Sequence, residues 1–226
     1  MTAGPDADLR AQLAARLRLL QGFTDFLPGP PLPPPPAETL AAISADLDGC
    51  TRCRLSEKRK TIVFGVGRPD ADLMFIGEGP GRDEDRQGEP FVGRAGRLLN
   101  EMIEKCFQRR RADVYITNIV KCWPPGNRNP EADEVATCLP FLKRQIASVR
   151  PRVICLLGSV AVKALLPGAR GIGAARGTVW EFAGIPVVPT FHPAYLLRAE
   201  GERLQQLKRE VLDDARTALE ILGRPG

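Results

Sequence analysis

Apolar residues return along this chain in short runs of two periods. Leu9, Leu13, Leu17 and Leu20 recur at helical spacing with arginines between them and predict an amphipathic helix within residues 8–21. The stretch Pro28 to Pro36, PGPPLPPPP, can hold neither a helix nor a central strand and reads as an extended spacer. The chain therefore divides into an N-terminal helical tail over 1–27, a proline-rich linker over 28–37 and one domain over 38–226. Beyond the linker, Ala71 to Ile76 (ADLMFI) predicts a buried strand running into GEGPG. A helix over 95–107 puts Leu98, Leu99, Met102, Ile103 and Cys106 on one side. Val114 to Thr117 predicts a second strand running into NIVKC, and 132–148 a second helix. Arg152 to Leu157 predicts a third strand ending at Gly158-Ser159, followed by a short helix over 160–166. Residues 177–182 and 185–190 read as a hairpin around Ala183-Gly184, its second arm ending at Phe191-His192-Pro193. A charged helix over 202–222 closes the pattern. Alternation of this kind predicts an α/β fold: three layers, α/β/α, around a mostly parallel central sheet of about four strands.

The unusual polar segments GEGPG, TNIVKC, LGS and TFHP each follow a predicted strand directly. In an open parallel sheet the carboxyl ends of the strands share one edge, and ligands bind there. Four segments far apart in sequence are thus expected to meet in one pocket.

Composition adds three constraints. A hydrophobic fraction of 43% in 226 residues suffices for one medium domain with a sizeable core. A net charge of +5 suits contact with nucleic acid without requiring it. No apolar run reaches the length of a membrane span and the first residues lack a signal-peptide core, so the cytoplasm is the expected compartment. In that compartment six cysteines raise the question of a metal. Cys50 and Cys53 form a C-x2-C pair, Cys122 follows the second strand, and Cys138 lies on the next helix. Together they make a plausible four-thiolate site that would staple the segment after the linker to the sheet. Spacing leaves zinc and an iron–sulfur cluster both open, with a slight lean to zinc. Cys106 and Cys155 fall on apolar faces and read as core. His192 is the single histidine. Alone it reads as a core or surface residue; its place at a strand end, beside the other polar segments, makes it a candidate for chemistry.

GEGPGRDED, GEPFVGRAGRLLN, YITNIVKCWPPGNRNP and FHPAYLLR, in this order behind the C-x2-C pair, closely resemble the family-4 uracil-DNA glycosylases. The resemblance spans about Leu47 to Arg198. It implies a three-layer α/β fold and a base-excision repair enzyme of a bacterial and archaeal family, at work in bacteria on the nucleoid. Such an enzyme removes uracil from single- and double-stranded DNA by base flipping and leaves an abasic site without lyase action. It also implies a monomer with a [4Fe-4S] cluster on Cys50, Cys53, Cys122 and Cys138, which overturns the lean to zinc.

Uracil excision needs a slot for the flipped base, readers of its edge, donors for the departing anion and a positioned water. The small residues of Gly77 to Gly81 let backbone groups approach the base, with Glu78 and Gly79 lining it; the loop lacks the lysine and Ser/Thr of a P-loop. Phe91 is similar to the family residue that stacks on uracil. Asn118 carries a donor and an acceptor that match the N3–H and O4 edge and mismatch cytosine. His192 is expected to donate to O2 from a neutral imidazole. Family-1 enzymes carry a water-positioning aspartate in the first motif; the matching place is Gly79, leaving Glu78, Glu84 and Asn127 as polar candidates. Glu84 also reads as part of a plain acidic run. Tyr195, Leu196 and Leu197 are expected to wedge into the duplex, with Arg198 on a phosphate. Ser159 is either a second phosphate contact at a helix start or a cap. A relative that traps DNA covalently does so through a histidine in an inserted loop; this chain has neither, so turnover is expected.

Two other readings stay in view. One is a non-catalytic iron–sulfur DNA-binding or polymerase-associated protein of the same fold. The other is a small-molecule α/β enzyme with a structural zinc. The N-terminal helix either folds back on the domain or tethers a protein partner.

Overall fold

The computed structural model describes residues 38–223. The N-terminal helix and proline linker read from the sequence lie outside the described residues. Six strands form one sheet: β1 (Val66–Gly67), β2 (Leu73–Gly77), β3 (Tyr115–Asn118), β4 (Val153–Leu157), β5 (Trp180–Phe182) and β6 (Ile185–Thr190), in the order β1-β3-β2-β4-β6-β5. The inner four, β3-β2-β4-β6, are parallel, as the pattern predicts. Two short antiparallel strands finish the edges. β5 is the first arm of the expected hairpin. β1 is a two-residue strand, too short to leave a periodic signal. Pro189, inside β6, pairs with β4 at a level that β5 does not reach, so its missing N–H costs no bond on that side.

Every residue of β2 and β4 is buried, so the two-residue period of a strand decides which layer each side chain joins. Met74, Ile76, Ile154 and Leu156 face one core, shared with α4 (Ala132–Val149) and α5 (Ser159–Leu165). Leu73, Phe75, Val153, Cys155 and Leu157 face the other, shared with α3 (Arg94–Lys105) and α8 (Gly201–Gly223). The three-layer expectation holds, and Cys155 is core as predicted. Cys106 sits half-buried at the end of α3.

Four short helices complete the domain: α1 (Leu40–Leu47), α2 (Arg82–Gln87), α6 (Ile172–Ala175) and α7 (Pro193–Leu196). α1 seats Ile43 and Leu47 on Phe141 of α4. Arg144 of α4 pairs with Glu38 and Asp46, and the guanidinium groups of Arg52 and Arg144 lie over the Phe141 ring. No helix among the described residues is long and apolar enough to cross a membrane.

The chain leaves β2 toward β3, then crosses back to β4 and continues toward β6. The connections after the adjacent strands β2 and β4 therefore depart in opposite directions, which opens a crevice at their carboxyl ends.

Candidate active site

That crevice is a cleft of about 1080 Å³ lined by all four strand-end segments: the GEGPG loop, Asn118, Gly158-Ser159 and Phe191-His192. Arg82, Arg94, Arg128, Arg198 and Arg203 also line it, against the carboxylates Glu78, Asp83 and Glu84, a balance that favours an anion such as a phosphodiester.

Asn118 ends β3 and is 1% exposed. Its Oδ1 is buried without a hydrogen-bond partner, a costly arrangement for a carbonyl unless a ligand supplies a donor. Gly77 is required beside it. A Cβ there would stand 2.4 Å from Asn118 Oδ1 and 2.5 Å from Phe91 Cζ, so only glycine lets the two side chains converge. Phe91 is buried, with a left-handed φ of 56°. The turn in front of it is fastened by Arg111, which donates to Glu89, to the Pro90 carbonyl and to Asn100. The Phe91 and His192 rings lie 5.7 Å apart with a 34° tilt.

His192 caps α7, and its Nδ1 accepts the Ala194 N–H at 3.2 Å. The ring proton therefore sits on Nε2, as a donor. Burial, helped by the charge of Arg198, pushes the imidazole down to about 4, so the ring is neutral at physiological pH.

The carboxylates divide by role. Glu84, the third residue of α2, is buried. Its Oε2 accepts from Gly81 N–H at 3.0 Å and its Oε1 from Val92 and Gly93 at 3.0 and 2.9 Å. It thereby ties the glycine loop to the loop carrying Phe91. Asp85 is buried as well and accepts from Lys60 and Thr61, so the acidic run is not a plain solvated face. Burial alone raises the Glu78 carboxyl above its ordinary value at the lip of the cleft. At Gly79 an added Cβ would stand 2.8 Å from Val120 Cγ2, so this backbone has no room for an aspartate in that place. Asn127 lies at the cleft wall, its Oδ1 held by the Trp123 indole at 2.6 Å, which leaves its amide N–H groups as donors.

Around the mouth, Tyr195 and Leu197 are exposed, at 39% and 49%. Leu196 corrects the sequence reading. It is 3% exposed and packs with Met102, Phe191, Leu207 and Val211, so it is a core residue and not a wedge. Ser159 Oγ accepts the Ile172 N–H at 3.2 Å, which ties α5 to α6 and leaves its proton for a cleft ligand.

The four cysteines expected as ligands come from three places: the loop after α1, the end of the β3 segment, and α4. Cys122 and Cys138 are buried, and Cys53 packs into the same cluster. The thiols sense one another's charge, Cys138 feeling Cys53 and Cys50, and Cys122 feeling Cys138 and Cys53. Burial pushes Cys122 up to about 11. Arg59 and Arg52 donate to Cys122 and Cys50 at 3.5 Å each. Among the described residues, no three His, Cys, Asp or Glu side chains gather closely enough to hold a single metal ion. One neighbour escaped the sequence reading. Lys121 is fully buried, and burial lowers it to about 7 against the opposing pull of Cys138. A lysine between Ile119-Val120 and a cysteine, inside a strand-end segment, was the available signal.

A family model described as the uracil DNA glycosylase superfamily matches residues 64–216. The chain is 42% identical over 191 residues to a type-4 uracil-DNA glycosylase of Thermotoga maritima, covering 84% of this chain and 97% of that protein. It is 45% identical over 168 residues to a type-4 enzyme of Saccharolobus solfataricus, covering 71% and 78%. It is 38% identical over 195 residues to a type-4 enzyme of Archaeoglobus fulgidus, covering 83% and 95%.

Proposed function

The chain belongs to the uracil-DNA glycosylase superfamily and within it to the type-4 enzymes, and from that premise we propose how its cleft removes uracil from DNA. The protein is a hydrolase that cleaves the N-glycosidic bond of uracil in DNA. The observation that carries the assignment of this cleft is the partnerless Oδ1 of Asn118. It accepts the N3–H of a flipped uracil, while the side-chain amide donates to O4; cytosine has no N3–H and presents an amine in place of O4. Phe91 stacks on the base. His192 donates from Nε2 to O2 and stabilises the negative charge that grows on the base as the bond lengthens. The neutral state of the ring suits this role, since Nδ1 stays an acceptor for the Ala194 N–H and the single ring proton is left on Nε2 facing the base.

Glu84 is spent on three backbone N–H groups, so it acts by holding the glycine loop and the Phe91 loop in register and by its charge near the sugar. Glu78 and the amide of Asn127 remain as the polar groups that position the attacking water. Arg198 and Ser159 hold phosphates, and Tyr195 and Leu197 fill the gap that the flipped nucleotide leaves.

The thiols of Cys50, Cys53, Cys122 and Cys138 are the ligands of a [4Fe-4S] cluster. Cys53, Cys122 and Cys138 share one packed cluster that joins the loop after α1 to α4, and four cysteine thiolates are the donor set of a [4Fe-4S] cluster. The cluster braces the fold and takes no part in breaking the bond.

The test is strand scission by alkali after incubation with uracil-containing single- and double-stranded DNA. Scission at the uracil positions is expected, with Asn118→Ala reduced about a hundredfold. DNA binding without scission at excess enzyme would leave a non-catalytic DNA-binding protein of the same fold.

A further inference from the structure

Lys121 is a fully buried charged group in the cleft's supporting structure that the proposed chemistry does not use. Its side chain is 0% exposed, yet no carboxylate among the described residues pairs with it. Its Nζ has two partners at 2.6 Å, Thr117 Oγ1 and the Asn118 carbonyl oxygen, and both are neutral. The Thr117 hydroxyl spends its proton on the Phe64 carbonyl at 2.8 Å, so it meets Lys121 as an acceptor. An ammonium has three donors, and two are taken. A buried lysine without a counter-ion is costly, and proteins keep one only where an anion or a function compensates. Cys138 lies close enough to Lys121 for a negative charge on its sulfur to act on the ammonium, against the larger effect of burial. Lys121 also offers its backbone N–H to the Cys138 sulfur, and its chain neighbour is Cys122.

We propose that Lys121 is a positioning residue with two ends: internal counter-charge to the thiolate-held iron–sulfur group, and hydrogen-bonding clamp on the backbone of Asn118, the uracil reader. The proposal rests on the iron–sulfur reading of the four cysteines. A thiolate-ligated cluster is a net anion, which supplies what the buried ammonium lacks. The Asn118 carbonyl then has a charged donor fixing its peptide, and through it the side chain whose Oδ1 faces the base.

Two substitutions separate the two ends. Lys121→Gln removes the charge and keeps a donor, and Lys121→Met removes both. Iron content and the cluster's midpoint potential are measured on wild type and both variants, with kcat/KM for uracil excision. Loss of a nearby positive charge disfavours an added electron, so both variants should shift the potential in the negative direction. Excision should fall about tenfold in Lys121→Met, and less in Lys121→Gln. An unchanged potential in both variants, or equal excision in all three proteins, would overturn the proposal. If neither variant folds, Thr117→Val decides, because it keeps the charge and removes one neutral acceptor. Full iron with lowered excision upholds the clamp, and unchanged excision overturns it. Wild-type protein without iron would end the iron–sulfur reading itself before any variant is made.

Discussion

At the scale of single residues, the site works by fixing protonation and pairing before the substrate arrives. His192 is the clearest case. Its Nδ1 is occupied by the Ala194 N–H, and burial with Arg198 holds its affinity for a second proton near pH 4, below the ordinary value of 6.5. Two consequences have opposite readouts. Excision should show no imidazole inflection from pH 8 to pH 6 and should fall as the ring charges near pH 4. Stability follows from linkage: between 6.5 and about 4 the unfolded chain binds the proton and the folded one does not. Folding is thus penalised as pH falls through that window, and the penalty is absent above it. His192→Gln should remove this part of the slope. Denaturant midpoints of both proteins at pH 7 and pH 4 check it, and parallel slopes would contradict it. His192→Ala should also lower turnover about a hundredfold on single strands and duplexes alike, because the lost donor serves the leaving base and not the duplex.

Among the elements, α7 carries the sharpest division of labour. Its single turn sends Leu196 into the cluster with Met102, Leu207 and Val211, while Tyr195 and Leu197 stay outside. Leu196→Ala should cost about 2–5 kcal/mol of stability and treat single- and double-stranded substrates equally once corrected for folded protein. Leu197→Ala should leave the melting temperature unchanged and slow excision from duplexes selectively; equal loss on single strands would remove it as a wedge. The same pair marks where the sequence stops being readable. A strand buried on both faces shows as a short unbroken apolar run, and so β2, β3, β4 and β6 were legible together with the polar residues at their ends, Asn118 and His192 among them. In a four-residue helix neighbouring apolar residues point about 100° apart with no second turn to set the phase, so Leu196 and Leu197 look alike. α1, α2 and α6 fail to register for the same reason of length. Glu84 and Asp85 read as a solvated acidic run because their acceptors' partners, backbone N–H groups of distant loops, are invisible in sequence. Lys121 was hidden by the habit of reading lysine as surface.

For the whole molecule, the question is what keeps residues 38–64 on the sheet domain. Ile43 and Leu47 bury against Phe141, Asp85 caps the backbone at Lys60 and Thr61, and Val63 bonds to the Lys121 carbonyl. The ion pairs of Arg144 with Glu38 and Asp46 are exposed and add little. The four cysteines join this segment to Cys122 and to α4, across a long stretch of intervening chain. By analogy with a covalent cross-link over a loop of that length, the staple restricts the unfolded chain by about 4 kcal/mol. Cys138→Ala should therefore lose iron and a comparable amount of stability. The loss should be uneven: amide hydrogen exchange should accelerate through residues 38–64, while β2 and β4, buried on both faces, keep most of their protection. Because the cleft is built from strand ends, the residual folded protein should still bind uracil-containing DNA, with excision reduced through the register of Asn118 and not through loss of His192. Uniform loss of protection across the sheet would mean that the thiols hold up the whole domain and not one segment of it.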